Sequence, residues 1–534
     1  MQRVDSQKPS VELVETLSAP ALRAPQKGTQ QVLPLGQAIR KYPKVVGYVI
    51  GLVTGILLVG YDTVIVGTVA ALPHFQKDYG RFLYGKWIIP ATWLALWHAF
   101  GPIGSVIGGV SAGWFQDRVG RRWSLATGSL ISAIGVAILY VSNLPADYDA
   151  RRGVFLAGKT LQGLSTGFVL ATIQTYISET VPIAMRGSAL ALCPTAILLG
   201  QLMGSVVVFT SSSRDTSKAY LIPIASQWPF SAVPFIMALL MPESPAHLIR
   251  RDLMDAAWKA SKRLYTNDIA AEVYRLKASI EHERLLAAEA TYIACFRGSN
   301  LRRTGIVVFT GMIPMLFGLP LLSQASYFMQ VVGMSASNSL IFLILGIALG
   351  LIGNGIGVWL MSRVGRRIST FTSLAITTVL WCAMGVAGCW TGVVTIWYSS
   401  TTMMVITIIC GMGAWPASTA ISAEVSALKL RAKSVGIGVF SQMGANVIFS
   451  LVLPYVFNPD AGNLRAKTGF VMSGICGVAT VVTWFYVPES KDRSVTELDK
   501  MFELGVPARG FKGWVDESDR GLDRKGLDGR MDSA

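Results

Sequence analysis

Between about residue 45 and residue 487 the chain carries twelve apolar runs, each near the ~20 residues that an α-helix needs to cross a bilayer. The spans are roughly 45–68, 87–112, 123–143, 153–176, 188–210 and 221–241. After a polar segment at 242–304 come 305–326, 338–361, 369–391, 396–421, 434–457 and 469–487. No water in lipid satisfies a bare N–H or C=O, so each run must close its own hydrogen bonds as a helix. The first run follows a polar stretch and is too long for a signal-peptide core, so it is expected to remain as a span. The pattern predicts an all-α membrane protein of twelve transmembrane helices. The composition agrees: 15% of residues are charged, against about 25% in soluble chains.

The net charge of +16 invites a nucleic-acid reading, but the basic residues sit in short connectors between apolar runs, with no nucleic-acid motif. That placement is what membrane topology produces. Six cysteines show no CxxC spacing and read as small hydrophobes. Four scattered histidines form no metal or catalytic set, so neither cofactor nor enzyme chemistry is expected. His98, within an apolar run, reads as a bundle residue or a proton relay.

The connectors richest in Lys and Arg alternate onto one side: the N-terminal tail, Arg118/Arg121/Arg122, segment 242–304, Arg363/Arg366/Arg367 and Lys429/Arg431/Lys433. By the positive-inside rule that side is cytoplasmic, with both termini. Residues 1–44 and the tail at 488–534 are read as cytoplasmic tails. The first lacks periodicity and is expected to be disordered, as is the second beyond about Val506. Segment 242–304 has helical charge spacing and is expected to form short helices on that face.

The runs divide into two halves, 45–241 and 305–487, marked by a repeat. DRVGRR at 117–122 returns as SRVGRR at 362–367, an offset of 245. Glu179 and Arg186 return as Glu424 and Arg431 at the same offset, and PES at 242–244 (Glu243) returns at 488–490 (Glu489), offset 246. Six spans per half give parallel halves, a transporter architecture with its site between them near the midplane. Each basic turn serves as a topology anchor. In addition, Asp117, the arginines and the glutamates share one rim, where ion pairs that hold the halves together in one state and break in the other would gate alternating access.

GWFQDRVGRR (113–122), PESPAHLIRR (242–251) and PESKDRS (488–494) resemble the major facilitator superfamily and, within it, the sugar porters. VGYDTVIVGTVAALPHFQ (59–76), GKTLQGLSTG (158–167), FRGSNLRRT (296–304) and LPYVFNPDAGNLRAKTGF (453–470) are most similar to fungal α-glucoside (maltose-type) permeases. The resemblance covers roughly 45–504 and implies two pseudo-symmetric six-helix bundles around a central cavity. It also implies a small-molecule substrate, coupled protons, a plasma-membrane location and a monomer.

An acid inside a span costs about 2.5–3.5 kcal/mol on insertion scales, so Asp62 calls for a reason. Lys159 enters the fourth run from the same side to a similar depth. A movement that makes or breaks their pair would load or release a proton; the alternative is a static pair fixing two helices. Proton-coupled sugar porters carry an Asp in this GYD motif and a cation in helix 4, which supports the first reading.

The resemblance assigns sugar contacts to Gln201, Gln442 and Asn446, each of which also suits a helix–helix contact. Tyr327 and Trp415 read as cavity aromatics or packing residues. The seventh run departs from the family: Pro314 and Met315 replace an amide pair, and Pro320 an Asn. In the tenth, Thr419 stands where an aromatic is usual. The first expectation is a proton-linked importer of an α-glucoside, hexose or polyol. The second is a diverged carrier of a less polar metabolite; a nutrient sensor and a membrane enzyme follow.

Overall fold

The computed structural model describes residues 35–514, apart from 84, 266–268, 290, 391, 428–429, 492 and 494. Lys429, the N-terminal tail before 35 and the tail after 514 lie outside the described residues. Among the described residues, twelve helices are long and apolar enough to cross a membrane. We number them α1 (Pro43–Val69), α2 (Ala91–Val119), α3 (Arg121–Val141), α4 (Tyr148–Thr180), α5 (Ile183–Ser211) and α6 (Lys218–Ala225 continued by Trp228–Leu240). The second set is α7 (Ser299–Leu316 continued by Leu319–Leu322), α8 (Ala336–Val364), α9 (Arg366–Ala387), α10 (Val393–Met412 continued by Ala414–Val425), α11 (Arg431–Phe457) and α12 (Thr468–Tyr486).

Within the first half α2 packs on α4, and small residues let the backbones touch. A Cβ added at Gly163 would overlap the Gly101 carbonyl, and one at Gly104 the Thr160 carbonyl. Between the halves, α2 lies along α11 and α5 along α8. Segment 242–304 forms helices Pro245–Arg250, Met254–Leu264 and Ile269–Glu289 at the end of the bundle that carries the RVGRR turns, hereafter the basic end.

Three elements differ from the sequence reading. The stretch expected to be disordered already turns helical at Leu35–Lys41, where Ala38 is fully buried. The last segment folds beyond Tyr486: helix Val495–Glu503 returns to the bundle, and Phe502 and the fully buried Phe511 pack edge to face at 5.1 Å. At the opposite end the expected span at 87 starts instead as a hairpin, β1 (Arg81–Leu83) antiparallel to β2 (Lys86–Ile88), preceded by helix Pro73–Tyr79. Trp87 pairs with Phe82 across it, an aromatic cross-strand pair that favours strand over helix.

Candidate functional site

Asp62 on α1 and Lys159 on α4 meet inside the first half. Lys159 Nζ donates to Asp62 Oδ1 at 2.6 Å and to the Asp62 carbonyl at 2.8 Å, with the residues 6% and 4% exposed. Gly101 on α2 makes room for the lysine stem, since a Cβ there would stand 3.3 Å from Lys159 Cε. His98, one turn earlier on α2, is buried with Nε2 unpartnered among the described residues.

Beside this pair, between the halves, lies a cavity of about 110 Å³. Thr63 and Val64 of α1 line it with Leu198 and Gln201 of α5. The second half contributes Met315, Pro320 and Ser323 around α7, Met329, Phe342 of α8, Met403, Met404, Thr407 and Trp415 of α10, and Asn446 of α11. The wall exists because two helices break. α7 stops at Leu316, Gly318 adopts φ 103°, and Pro320 opens the next turn. The Phe317 carbonyl left free accepts from Trp381 Nε1 at 3.0 Å, the kind of replacement bond a broken membrane helix requires. α10 breaks at Gly413, where a Cβ would overlap Ser373 Oγ, and Trp415 follows.

Gln201, Trp415 and Asn446 thus reach one cavity, while three other expected contacts do not. Gln442 is half-buried off its wall. Thr419 is exposed and donates to the Pro416 carbonyl at 2.9 Å. Tyr327 is buried at the end opposite the basic turns and donates to Asn458 Oδ1 at 3.1 Å. A larger depression of about 990 Å³ between α9, α10 and α12, lined by Val379, Trp390 and Val393, lies on the outer face and away from these groups. Its exposed apolar side chains suit lipid, so the central cavity is the candidate site.

At the basic end the repeat is a pair of matched caps. Glu243 accepts from the N–H groups of Arg121 (2.8 Å) and Arg122 (3.2 Å) at the start of α3, and Glu489 does the same for Arg366 (2.9 Å) and Arg367 (3.2 Å) at the start of α9. A carboxylate on a helix N-terminus satisfies orphan donors and meets the positive end of the dipole. Gly120 and Gly365 have φ 109° and 105°, and a Cβ on either would strike the capping carboxylate.

The arginines then bind within their own half. Arg121, 2% exposed, holds Glu179 through Nε (3.0 Å) and Nη2 (2.9 Å), donates to the Gln116 carbonyl at 2.9 Å and meets His247 Nδ1 at 2.6 Å. Glu179 also accepts from Arg250 and Ser244, both at 2.6 Å. Asp117 adds one contact to Arg121 at 3.2 Å from an exposed position. The second half is sparser: Arg366 Nη2 reaches Glu424 at 3.0 Å, and Ser490 donates to Glu424 at 2.5 Å. Arg122 and Arg367 bond the last carbonyls of α6 and α12, at 2.8 Å to Ala238 and 2.7 Å to Trp484. Arg118 and Arg363 lie over Trp114 and Trp359. Arg186 reaches the Val181 carbonyl at 3.4 Å, and Arg431 Nε is buried without a partner among the described residues. The expected bonds across the rim are therefore absent among the described residues in this conformation; these charges lock helices within each half.

Bonds between the halves lie at the opposite end. Asn458 Nδ2 donates to the Ile89 carbonyl at 2.8 Å, and Asp460 accepts from the Ala91 N–H at 2.8 Å, the first residue of α2. Gln330 donates to the Ala71 carbonyl at 2.6 Å and accepts from Gln76 at 3.0 Å. Sequence reasoning missed this set; NPDAG was the available signal, a turn motif whose Asn and Asp suit capping. Toward the basic end the halves instead leave a cavity of about 490 Å³ among α2, α4 and α11, with Gly109, Gln174 and Phe440 on its walls.

Comparison with known proteins follows the same lines. The family profile described as sugar (and other) transporter matches residues 48–502. The chain is 30% identical over 474 residues to the MFS transporter fmqE of Aspergillus fumigatus, covering 85% of each chain. It is 27% identical over 498 residues to the alpha-glucosides permease MPH3 of Saccharomyces cerevisiae, covering 91% of this chain and 81% of that one. A partially occluded inward open structure of the xylose transporter XylE from E. coli superposes with a TM-score of 0.68 at 19% identity, covering 85% of this chain and all of that one.

Proposed function

The chain belongs to the sugar transporter family of the major facilitator superfamily, and from that membership we propose that it carries a small organic solute together with a proton by alternating access. It is a multi-pass membrane transporter and not an enzyme; the proton, the solute and the direction are the proposal. The observation that carries it is the buried Lys159–Asp62 pair at 2.6 Å next to the cavity, with Thr63 forming cavity wall directly after Asp62. Movement of α1 against α4 would part the ammonium from the carboxylate, and a desolvated carboxylate without its cation takes up a proton. The same movement changes the cavity wall at Thr63, which links proton and solute.

We place the basic end in the cytoplasm by its Lys and Arg excess and the plasma membrane around the bundle by family resemblance. On that placement the conformation faces inward, closed outside by Asn458, Asp460 and Gln330 and open inside along α2, α4 and α11.

The sugar permeases among the relatives make an α-glucoside the first solute to test, followed by hexoses and polyols. One observation favours the second reading, a less polar metabolite: Met315 and Pro320 form cavity wall where amides were expected. Purified protein in liposomes, given an imposed pH difference, tests the coupling. Solute should accumulate in the native protein and only equilibrate in Asp62→Asn; equal accumulation in both removes Asp62 from the mechanism.

A further inference from the structure

The reading of the central cavity as the transport site leaves its chemical preference open, and its hydrogen-bonding inventory narrows that preference. Among its lining side chains, Thr63, Ser323 and Thr407 already donate to carbonyls of their own helices, at 2.8, 2.9 and 3.0 Å. Asn446 Oδ1 accepts from Ser450 at 3.3 Å. The donors that stay uncommitted among the described residues are the Gln201 amide, Asn446 Nδ2 and Trp415 Nε1, while the three hydroxyl oxygens remain open only as acceptors. A sugar presents a hydroxyl on nearly every ring carbon, and each one buried without a partner costs its full desolvation. Three side chains with a free donor are too few for the oxygens of such a ligand.

The rest of the wall is soft and apolar. Met315, Met329, Met403 and Met404 converge on the cavity together with Phe342 and Trp415. Thioethers contact aromatic rings favourably and adapt to irregular shapes, and the indole offers both a stacking face and an N–H at its edge. The separate cavity toward the basic end is apolar as well, with Phe440 and Met443 on its wall.

We propose that this site selects an amphipathic solute with an aromatic body and one short polar edge: the ring stacks on Trp415 among the methionines, and an amide-like edge pairs with Gln201 and Asn446. This rests on the proposed transport site and changes its substrate class from sugar to aromatic amide.

The test compares two probes on the purified full-length protein, 2-naphthamide and maltose, by ligand-induced thermal shift and equilibrium binding. Naphthamide is expected to bind at least 10-fold more tightly than maltose. Trp415→Leu should weaken naphthamide at least 10-fold in protein that still folds, and Gln201→Leu several-fold. Met315→Gln combined with Pro320→Asn should move the preference toward maltose. Tighter binding of maltose to the native protein, binding of neither probe, or naphthamide affinity indifferent to folded Trp415→Leu would overturn the proposal.

Solute-evoked proton movement, followed with a pH dye inside liposomes against an Asp62→Asn blank, separates the two readings. Naphthamide binding without proton movement keeps the substrate class and removes the coupling. Maltose-evoked proton movement keeps the coupling and removes the substrate class.

Discussion

Lys159 Nζ touches Asp62 twice, at the carboxylate Oδ1 (2.6 Å) and at the backbone carbonyl (2.8 Å), so the lysine reads both the charge and the path of α1. Removing one member strands the other, which costs about 3–5 kcal/mol for a buried pair. Asp62→Asn and Lys159→Met are each expected to lower the melting temperature strongly. Asp62→Asn combined with Lys159→Met should recover most of it, since neither charge is then left unpaired. Only the native pair should restore pH-driven accumulation in liposomes. A double variant that both folds and accumulates solute would reduce the pair to a static fastener.

Gly120 and Gly365 sit in a region of φ and ψ that is nearly exclusive to glycine, each against a capping carboxylate. Gly120→Ala and Gly365→Ala are each expected to cost about 1–3 kcal/mol from backbone strain, plus damage to the cap. Thermal unfolding in detergent reads this, and losses of similar size at both sites would confirm that the repeat is structural in each half. Ala at Val119 or Val364, one residue earlier and exposed, is the control and should change little.

The two halves are not fastened equally. Arg121 is buried and shared among Glu179, Gln116 and His247, whereas Asp117 contributes an exposed i,i+4 contact. Arg121→Ala should cost about 3–5 kcal/mol by leaving Glu179 buried with less compensation. Asp117→Ser should cost about 0.3–0.5 kcal/mol, the worth of an exposed helical pair. Ser362 stands at the matching position of the second half, so this contact exists in one half only. If transport by folded Asp117→Ser is nonetheless reduced severalfold, Asp117 acts in a conformation other than this one, where the rims approach.

His247 carries a pH signature. Burial, then Arg121, hold its imidazole below the ordinary 6.5, with Arg251 adding and Glu243 and Glu179 opposing. The unfolded chain then binds a proton that the folded chain refuses, so stability rises with pH in this window. The stabilising contribution is present above about 6.5 and is lost as pH falls toward the lowered folded value. Melting temperatures between pH 7.5 and 5 should fall less steeply in His247→Gln than in the native protein. Parallel curves would show that His247 does not titrate there.

The spans and the two halves were legible because lipid imposes one rule on every run: enough apolar length and a helix to close the backbone. Asp62 and Lys159 were legible for the same reason, as charges that a span tolerates only when paired. The hairpin at Arg81–Ile88 was hidden because apolar Trp87, Ile88 and Ile89 run into α2 without a break in hydropathy. The rim's partners in this conformation were not legible because a shared edge says nothing of partners. Arg121 and Glu179 are on one edge and in one half, and the distances decide that they bond there. Tyr327 shows the same limit: its sequence suits a cavity wall, and only the fold shows Asn458 and Ile89 facing its hydroxyl.

The far end supplies the last prediction. Asn458 is fully buried and serves three partners: it donates to the Ile89 carbonyl and to Asp460 and accepts from Tyr327. Asp460 in turn receives the first N–H of α2 from the other half, so parting the halves breaks several bonds together. Such bonds contribute about 0.5–1.5 kcal/mol each, and losing two or three moves a two-state equilibrium roughly 10- to 100-fold. Asn458→Ala should therefore populate the state open at this end without unfolding either bundle, because it removes the bond to Ile89 across the halves and frees Asp460, which holds Ala91. A cysteine placed at Thr63, on the cavity wall, in a background lacking reactive cysteines should then react faster with an impermeant thiol reagent added from the hairpin side. Tyr327→Phe, which removes a single hydroxyl, should produce a smaller increase in the same direction. Unchanged labelling in Asn458→Ala would mean that packing of α2 on α11 and of α5 on α8 sets the closed state, with these hydrogen bonds following it.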